Sequence, residues 1–412
     1  MEEIKCVLNT IYSDDGMKVE EDDLIKEFSK TQAENIHEYH KSIPGYVPTP
    51  LQDLSNLADK LSISKLWVKD ESKRFDLNGF KVLGSSFAFA KYLAGPEQEL
   101  LSFGELVKKI DKETLLVSAT DGNHGYGVAF IAKLFKCKAK VSIIVFEYNV
   151  RFTSFLQIVM PQGSVLHRAQ RIRDFGAECD ILDVNYDACV EVAKQEAKKF
   201  GGLFIQDTSL ESDTEEERKT PLAIMQGYMT ILQEFVHQAP DAIPTHVFLQ
   251  AGVGSFAGSL SAHLQHLFSP PPIIIGVEPS EADCMYKSVV AGDGVARTVD
   301  GEMSSIMAGL CCGVPSVQGW PILRKTVRAF LSCEDSVAAR GMRILYSPLA
   351  GDGKVVSGES GAVTLGALYS VCTSNKMTEL REKLELNHDS RVLLVNTEGD
   401  TDPDGFFDSI WA

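Results

Sequence analysis

The chain has 412 residues and a formal net charge of −17, with 44% apolar and 24% charged residues. This length provides for roughly two to three domains with a sizeable core, and the composition excludes disordered and fibrous classes. An acidic balance without a basic stripe argues against nucleic acid or an anionic membrane as partner.

No run approaches about 18 consecutive apolar residues, so no membrane span is expected. The first residues, Met1-Glu2-Glu3-Ile4-Lys5, carry acids and no long apolar run, unlike a secretory or transit signal. Nine cysteines, among them the adjacent Cys311-Cys312 and the isolated Cys6, Cys137 and Cys189, follow no framework spacing. They suit reduced thiols in the cytoplasm. Neither CxxC nor HExxH occurs, so no structural metal is expected.

In chain order, strands are predicted at Leu66–Lys69, Thr114–Ser118, Lys138–Ile144, Glu178–Leu182, Leu203–Gln206, His246–Gln250, Ile273–Val277 and Arg391–Asn396. Helical periodicity falls between them, at Phe87–Leu93, Tyr126–Leu134, Tyr186–Phe200, Pro221–Phe235 and Ala362–Cys372. This alternation predicts an α/β fold with two open, mostly parallel twisted sheets flanked by helices, with a cleft between them. The charge run Glu211–Lys219 reads as a solvated loop or a helix start. The segment Val141–Gln157, VSIIVFEYNVRFTSFLQ, interrupts the passage into Met160-Pro161-Gln162-Gly163-Ser164. It is either a longer strand and loop or a translated intron: Val-Ser can be encoded by the splice-donor-like GTAAGT, and Gln by a terminal CAG.

Three segments can carry chemistry. In Asn78-Gly79-Phe80-Lys81-Val82-Leu83-Gly84, a lysine sits between apolar residues ahead of a small-residue helix. Desolvation lowers a buried lysine's pKa and yields a neutral amine able to condense with an aldehyde. The plainer alternative is a lysine snorkelling from a helix start. Ala119-Thr120-Asp121-Gly122-Asn123-His124-Gly125 follows a predicted strand and opens a helix, placing polar side chains and amides at a sheet's carboxyl edge. Its alternative is a tight turn capped by Asp121 or Asn123.

Gln250-Ala251-Gly252-Val253-Gly254-Ser255-Phe256-Ala257-Gly258 again joins strand to helix, and its amides and the Ser255 hydroxyl can surround a phosphate. The same glycines approximate a dinucleotide fingerprint, with Glu278 where a ribose-binding acid would stand. An imine-forming amine, donors for a phenolic oxygen and a phosphate cradle together are what pyridoxal 5′-phosphate requires. A nicotinamide enzyme has no evident need for the first two.

The chain resembles the fold type II pyridoxal-phosphate enzymes, and among them the diaminopropionate ammonia-lyase family, across residues 40–405. The resemblance rests on NGFKVLG, ATDGNHGYGVAF, MPQGS, GAEC, VNYD, QDTS, MQGYMT, QAGVGSFAG, GVEP, MAGLCCG, SGESGA and NTEGDTDPDG. It implies a larger cofactor-binding domain (1–84 with 208–412) and a smaller mobile domain (85–207), with the cofactor cleft between the sheets. Lys81 would hold the cofactor covalently, Asn123 would hydrogen-bond its phenolic oxygen, and Gly252, Val253, Gly254 and Ser255 would bind its phosphate.

Two aspartates would serve opposite faces of the substrate's α-carbon, Asp121 for the D-isomer and Asp207 for the L-isomer. An α-hydrogen leaves when its bond stands perpendicular to the cofactor plane, so a carboxylate on each face would let one pocket accept both hands. Without the resemblance, Asp207 reads as a loop-starting acid after a strand. The implied reaction is α,β-elimination of D- and L-2,3-diaminopropionate to pyruvate and ammonia through aminoacrylate, by a cytoplasmic homodimer.

One departure concerns the pyridine nitrogen, against which many relatives place a Ser or Thr hydroxyl. Here the stretch reads Leu394-Val395-Asn396-Thr397-Glu398-Gly399-Asp400, and either Asn396 or Thr397 could be the partner. A neutral partner would leave the nitrogen unprotonated. Ser357-Gly358-Glu359-Ser360-Gly361 would lie near the cofactor, or is a helix start capped by Ser357 or Ser360. Three rivals stand beside this reading: a serine or threonine dehydratase, a nucleotide-binding oxidoreductase built on the glycine loop and Glu278, and a non-catalytic cofactor-binding relative.

Overall fold

The computed structural model describes residues 3–10, 12, 22–95, 100–110, 114–120, 122–137, 156–160, 166–181, 186–301 and 303–411. Its strands are β1 (Ile4–Leu8), β2 (Leu51–Asp53), β3 (Lys65–Asp70), β4 (Leu116–Ala119), β5 (Leu156–Met160), β6 (Ala177–Ile181), β7 (Leu203–Phe204), β8 (His246–Gln250), β9 (Ile273–Pro279), β10 (Ala329–Cys333) and β11 (Arg391–Asn396). They form a seven-stranded sheet in the order β1-β10-β9-β8-β11-β3-β2 and a four-stranded sheet in the order β6-β5-β4-β7. With helices between the strands, this is an α/β fold of two mostly parallel sheets. Residues 1–34, 47–80 and 229–412 make one compact unit, and residues 35–46 and 81–228 the other.

In the larger unit, β10, β9, β8, β11 and β3 run parallel, and β1 and β2 add antiparallel edges. Successive strand residues point to opposite faces, and β8 is buried along its whole length, so both its faces are covered. That burial is why Ile273-Ile274-Ile275 and Val392-Leu393-Leu394-Val395 are unbroken apolar runs instead of alternating ones. The core draws on Leu66, Val68, Phe248, Ile275, Leu331 and Leu394. Parallel pairing brings the carboxyl ends of β3, β11 and β8 to one edge, which sets Asp70, Asn396 and Gln250 there.

Beyond β3 the chain is pinned by buried charges. Lys69 Nζ donates to Glu234 Oε2 at 2.5 Å, and Arg74 donates to Glu234 Oε1 at 2.6 Å and to Glu71 Oε1 at 2.8 Å. Two cations and two acids balance, which a fully buried cluster requires. The turn they hold places Phe75, Asp76 and Asn78 in the left-handed region, with φ of 51°, 57° and 62°.

In the smaller unit, three helices meet at backbone distance. A Cβ added to Gly227 would lie 2.5 Å from the Leu83 oxygen, one on Gly84 2.6 Å from Ile224 Cγ2, and one on Gly127 3.0 Å from Val82 Cα. These contacts lock the helix Val82–Ala94 to Glu215–Gly227 and Asn123–Phe135. The units therefore change over at 80/81 and 228/229, whereas the sequence places the divisions after 84 and 207, and residues 35–46 join the smaller unit.

Strands β8 and β11 coincide with expectation, while Leu203–Gln206 shortens to Leu203–Phe204. The expected helix Pro221–Phe235 is two helices, Glu215–Gly227 and Thr230–Gln238. The first begins inside the charge run, where Thr214 and Glu217 form a capping box. β1, β2, β5 and β10 are not anticipated. The predicted strand Lys138–Ile144 and residues 141–155 of the irregular segment lie outside the described residues, and Leu156-Gln157 open β5. Among the described residues, no helix is long and apolar enough to cross a membrane.

Candidate active site

In the smaller unit, Lys81 stands immediately before the helix Val82–Ala94 and Asp207 follows β7. Lys81 Nζ donates to Asp207 Oδ2. The lysine side chain is 21% exposed and that of Asp207 4%. The amine is thus ion-paired, not enclosed by apolar groups as the flanking sequence suggests. His124 Nδ1 lies 4.0 Å from the same carboxylate oxygen, while its Nε2–H donates to the Ile205 carbonyl at 2.9 Å. Burial pushes the Tyr228 phenol above its usual range, with the Lys81 charge opposing and the Asp207 charge reinforcing that shift.

Two ties hold Asp207 and the turn after β4. Gln206 Oε1 accepts from the Ala119 amide at 3.0 Å, binding the end of β4 to the residue before Asp207. Thr120 Oγ1 accepts from the amides of Gly122 and Gly125, both at 2.9 Å. Thr120 therefore caps this turn. Gly122 takes φ 145°, and half-buried Asn123 opens the helix. Asp121 lies outside the described residues. Thr208 Oγ1, buried and without a hydrogen-bond partner among the described residues, is a polar group that sequence reasoning overlooked.

In the larger unit, β8 ends at Gln250 and the chain turns through Gly252–Gly254 into the helix Ser255–Leu267. Gly254 has φ 94°, and a Cβ there would lie 2.6 Å from Met285 Cε. A Cβ on Gly252 would approach Leu310 Cα to 3.3 Å. The Val253 oxygen accepts from the Ser316 amide at 2.8 Å. A turn this closely backed leads into a helix whose first-turn N–H groups point out of its end, which is the geometry of an anion site.

Glu278 does not stand open to a ribose. It is buried, and its carboxyl accepts from the amides of Met285 at 2.8 Å and Tyr286 at 2.7 Å, capping the helix Cys284–Ala291. Burial pushes it up to about 8. The dinucleotide rival thereby loses its acid.

At the end of β11, Asn396 Nδ2 donates to Asp70 Oδ1 at 2.8 Å and to the Val356 oxygen at 3.1 Å, which commits both of its hydrogens. Thr397 Oγ1 accepts from Gln250 Nε2 at 3.1 Å, and its own proton has no acceptor among the described residues. Residues 78–80 lie alongside 397–399, with the Phe80 amide donating to the Thr397 oxygen at 3.4 Å and the Gly399 amide to the Asn78 oxygen at 3.1 Å. Glu398 Oε1 accepts from the Ser360 amide at 3.1 Å, so a carboxylate from another segment serves the start of the helix Glu359–Thr373. Neither Ser357 nor Ser360 caps it with its side chain.

A family profile described as pyridoxal-phosphate dependent enzyme matches residues 43–398. Diaminopropionate ammonia-lyase of Escherichia coli (strain K12) is 44% identical over 390 residues, covering 93% of this chain and 92% of that protein. The solved selenomethionine holo form of diaminopropionate ammonia-lyase from Escherichia coli aligns with a TM-score of 0.86 at 41% identity, over 99% of this chain and 96% of that one. The same enzyme in complex with an aminoacrylate-PLP azomethine reaction intermediate aligns at 0.85 and 40% identity, over 100% and 97%.

The chain belongs to the fold type II pyridoxal-phosphate-dependent enzymes, within the diaminopropionate ammonia-lyase family. In the larger unit, the glycine turn opening a helix at 252–255 and the buried Thr397 hydroxyl have the chemistry that a phosphate and a ring nitrogen require; in the smaller unit, Lys81 offers a primary amine.

Proposed function

We propose that the protein eliminates ammonia from 2,3-diaminopropionate of either hand. The aminoacrylate released reacts with water to give pyruvate and a second ammonia. The observation that carries this reading is the pair Lys81–Asp207, an amine able to hold the cofactor beside a buried carboxylate able to take a proton. Bound pyridoxal phosphate supplies the electron sink that makes the substrate's α-hydrogen acidic. Lys81 anchors it, the amides of Gly252, Val253, Gly254 and Ser255 hold its phosphate, and Asn123 contacts its phenolic oxygen. Thr397 serves the ring nitrogen and Asn396 does not, because Asn396 has no hydrogen left to donate.

Asp207 accepts the α-proton of the L-isomer and Asp121 that of the D-isomer. In this reading the larger unit is the cofactor-binding domain, and the smaller one moves during turnover. The protein works as a cytoplasmic homodimer on a small amino acid.

The test is release of pyruvate and ammonia by the holoenzyme from each diaminopropionate enantiomer and from D- and L-serine. Both diaminopropionates should turn over faster than either serine. Faster serine turnover would make the protein a dehydratase, and no pyruvate from any substrate would make it a non-catalytic relative. Sedimentation velocity reads the dimer.

A further inference from the structure

Gln250 is the last residue of β8 and is 2% exposed. Its Nε2 lies 3.0 Å from the Val395 oxygen, 3.1 Å from Thr397 Oγ1 and 3.3 Å from the Ser360 oxygen. All three can accept, and two are carbonyls that can only accept, so the amide must present its N–H side to them. The consequence is that Gln250 Oε1 is buried with no hydrogen-bond partner among the described residues. Leaving a buried carbonyl unmet is unfavourable, and an apolar side chain of the same size would avoid it. The N–H contacts must therefore serve something beyond filling space.

We infer that Gln250 is a positioning residue that turns the Thr397 hydroxyl into a fixed donor toward the cofactor's ring nitrogen. A hydroxyl that already accepts an N–H keeps its own proton directed elsewhere, and no protein acceptor meets that proton among the described residues. Such a donor matches an unprotonated pyridine nitrogen and opposes a protonated one, which would bring two hydrogens face to face. Gln250 thus acts through Thr397 to keep the ring neutral. A neutral ring is the weaker electron sink, which suits elimination of a β-substituent over longer-lived carbanion chemistry. The inference rests on the placing of Thr397 under Proposed function.

The experiment reconstitutes wild type, Thr397→Val, Gln250→Leu and the double variant with ring-¹⁵N pyridoxal phosphate. It reads the ¹⁵N shift and the cofactor Kd, with the apoprotein's thermal midpoint alongside. Wild type should show a neutral, hydrogen-bonded ring nitrogen. Thr397→Val should move the shift toward that of an unbonded pyridine and weaken cofactor binding about tenfold, the worth of one buried hydrogen bond. Gln250→Leu should fall between wild type and Thr397→Val in both readouts, and the double variant should go no further than Thr397→Val.

A Gln250→Leu protein with a lowered midpoint but a wild-type ¹⁵N shift overturns the inference and leaves Gln250 a structural tie. An unchanged shift in Thr397→Val overturns instead the placing of Thr397. Should Gln250→Leu fail to fold, wild type still decides, because a protonated ring nitrogen there at neutral pH defeats the inference.

Discussion

The two units hold their buried polar groups in different ways. In the larger one, Lys69, Glu71, Arg74 and Glu234 close on one another, and Glu278 is occupied with two amides. Every charge in that cluster meets a fixed counter-charge, so none is available to a ligand. In the smaller unit, Lys81 and Asp207 meet side chain to side chain, the lysine keeps a fifth of its surface open, and Thr208 nearby in sequence carries a hydroxyl with no partner among the described residues. A closed network stabilises, whereas a pair with one accessible member can exchange that member for a ligand.

Substitutions of the Lys81–Asp207 pair should break chemistry and leave folding alone. Lys81→Ala is expected to abolish turnover and the visible absorbance of the covalently bound cofactor, since it removes the amine that holds it in this reading. Asp207→Asn is expected to lower turnover of L-diaminopropionate by about 10²–10⁴-fold, the usual worth of a positioned base, while the D-isomer loses far less. Steady-state kinetics on each enantiomer reads this directly. Equal loss for both hands would end the two-face scheme, and a large fall in the thermal midpoint of either variant would dissolve the contrast between the units.

The mirror experiment removes a charge from the larger unit. Glu234→Ala strands Lys69 in the core and leaves Arg74 with Glu71 as its one counter-charge, and breaking a buried pair costs about 3–5 kcal/mol, measurable by urea denaturation. Burial alone would push the Glu234 carboxyl up, but Arg74 and then Lys69 outweigh it and hold the group at about 2, below its ordinary 4.5. A carboxyl depressed in the folded state adds stability that is fully present above pH 4.5 and is lost as pH falls toward 2. The wild type should lose that stability across this window and Glu234→Ala should not. Matching acid profiles would show the cluster to be poorly coupled to folding.

The next effect concerns the helix contacts of the smaller unit. Gly227→Ala sets a methyl 2.5 Å from the Leu83 oxygen, a backbone atom that cannot swing aside. Overpacking of this kind costs about 1–3 kcal/mol. A thermal midpoint equal to wild type would mean that the helices separate without penalty.

These contacts also mark the limit of what sequence shows. His246–Gln250 and Arg391–Asn396 were legible because strands buried on both faces read as apolar runs. β1 and β2 are edge strands and β2 has three residues, too few to carry a period, and in β10 Ser332 and Cys333 dilute the signal. At the site, the Lys81 segment and the 252–255 turn are local patterns and could be recognised. The partnerships Lys81–Asp207 and Gln250–Thr397 join residues 126 and 147 positions apart, and only strand order creates them. Thr120 was passed over as the cap because Asp121 and Asn123 beside it are stronger capping types.

The finest test uses Glu278, a buried carboxyl in the larger unit that has no ion pair among the described residues and feels a second acid, Asp283. Burial raises it to about 8 against two amide hydrogen bonds that favour the charged form. For an acid raised in the folded state, the native protein keeps a proton that the unfolded chain releases above pH 4.5. Stability from this group is therefore greatest below pH 4.5, declines as pH rises, and is gone once pH passes about 8. Glu278→Gln forfeits one acceptor for the Met285 or Tyr286 amide at every pH, yet it escapes the ionisation penalty. Its denaturation midpoint relative to wild type should climb steadily from pH 5 to pH 8. A difference that stays flat over that range would mean that the amides, not burial, govern this carboxyl, and Glu278 would then resemble the paired acids of the ion cluster instead of standing apart from them.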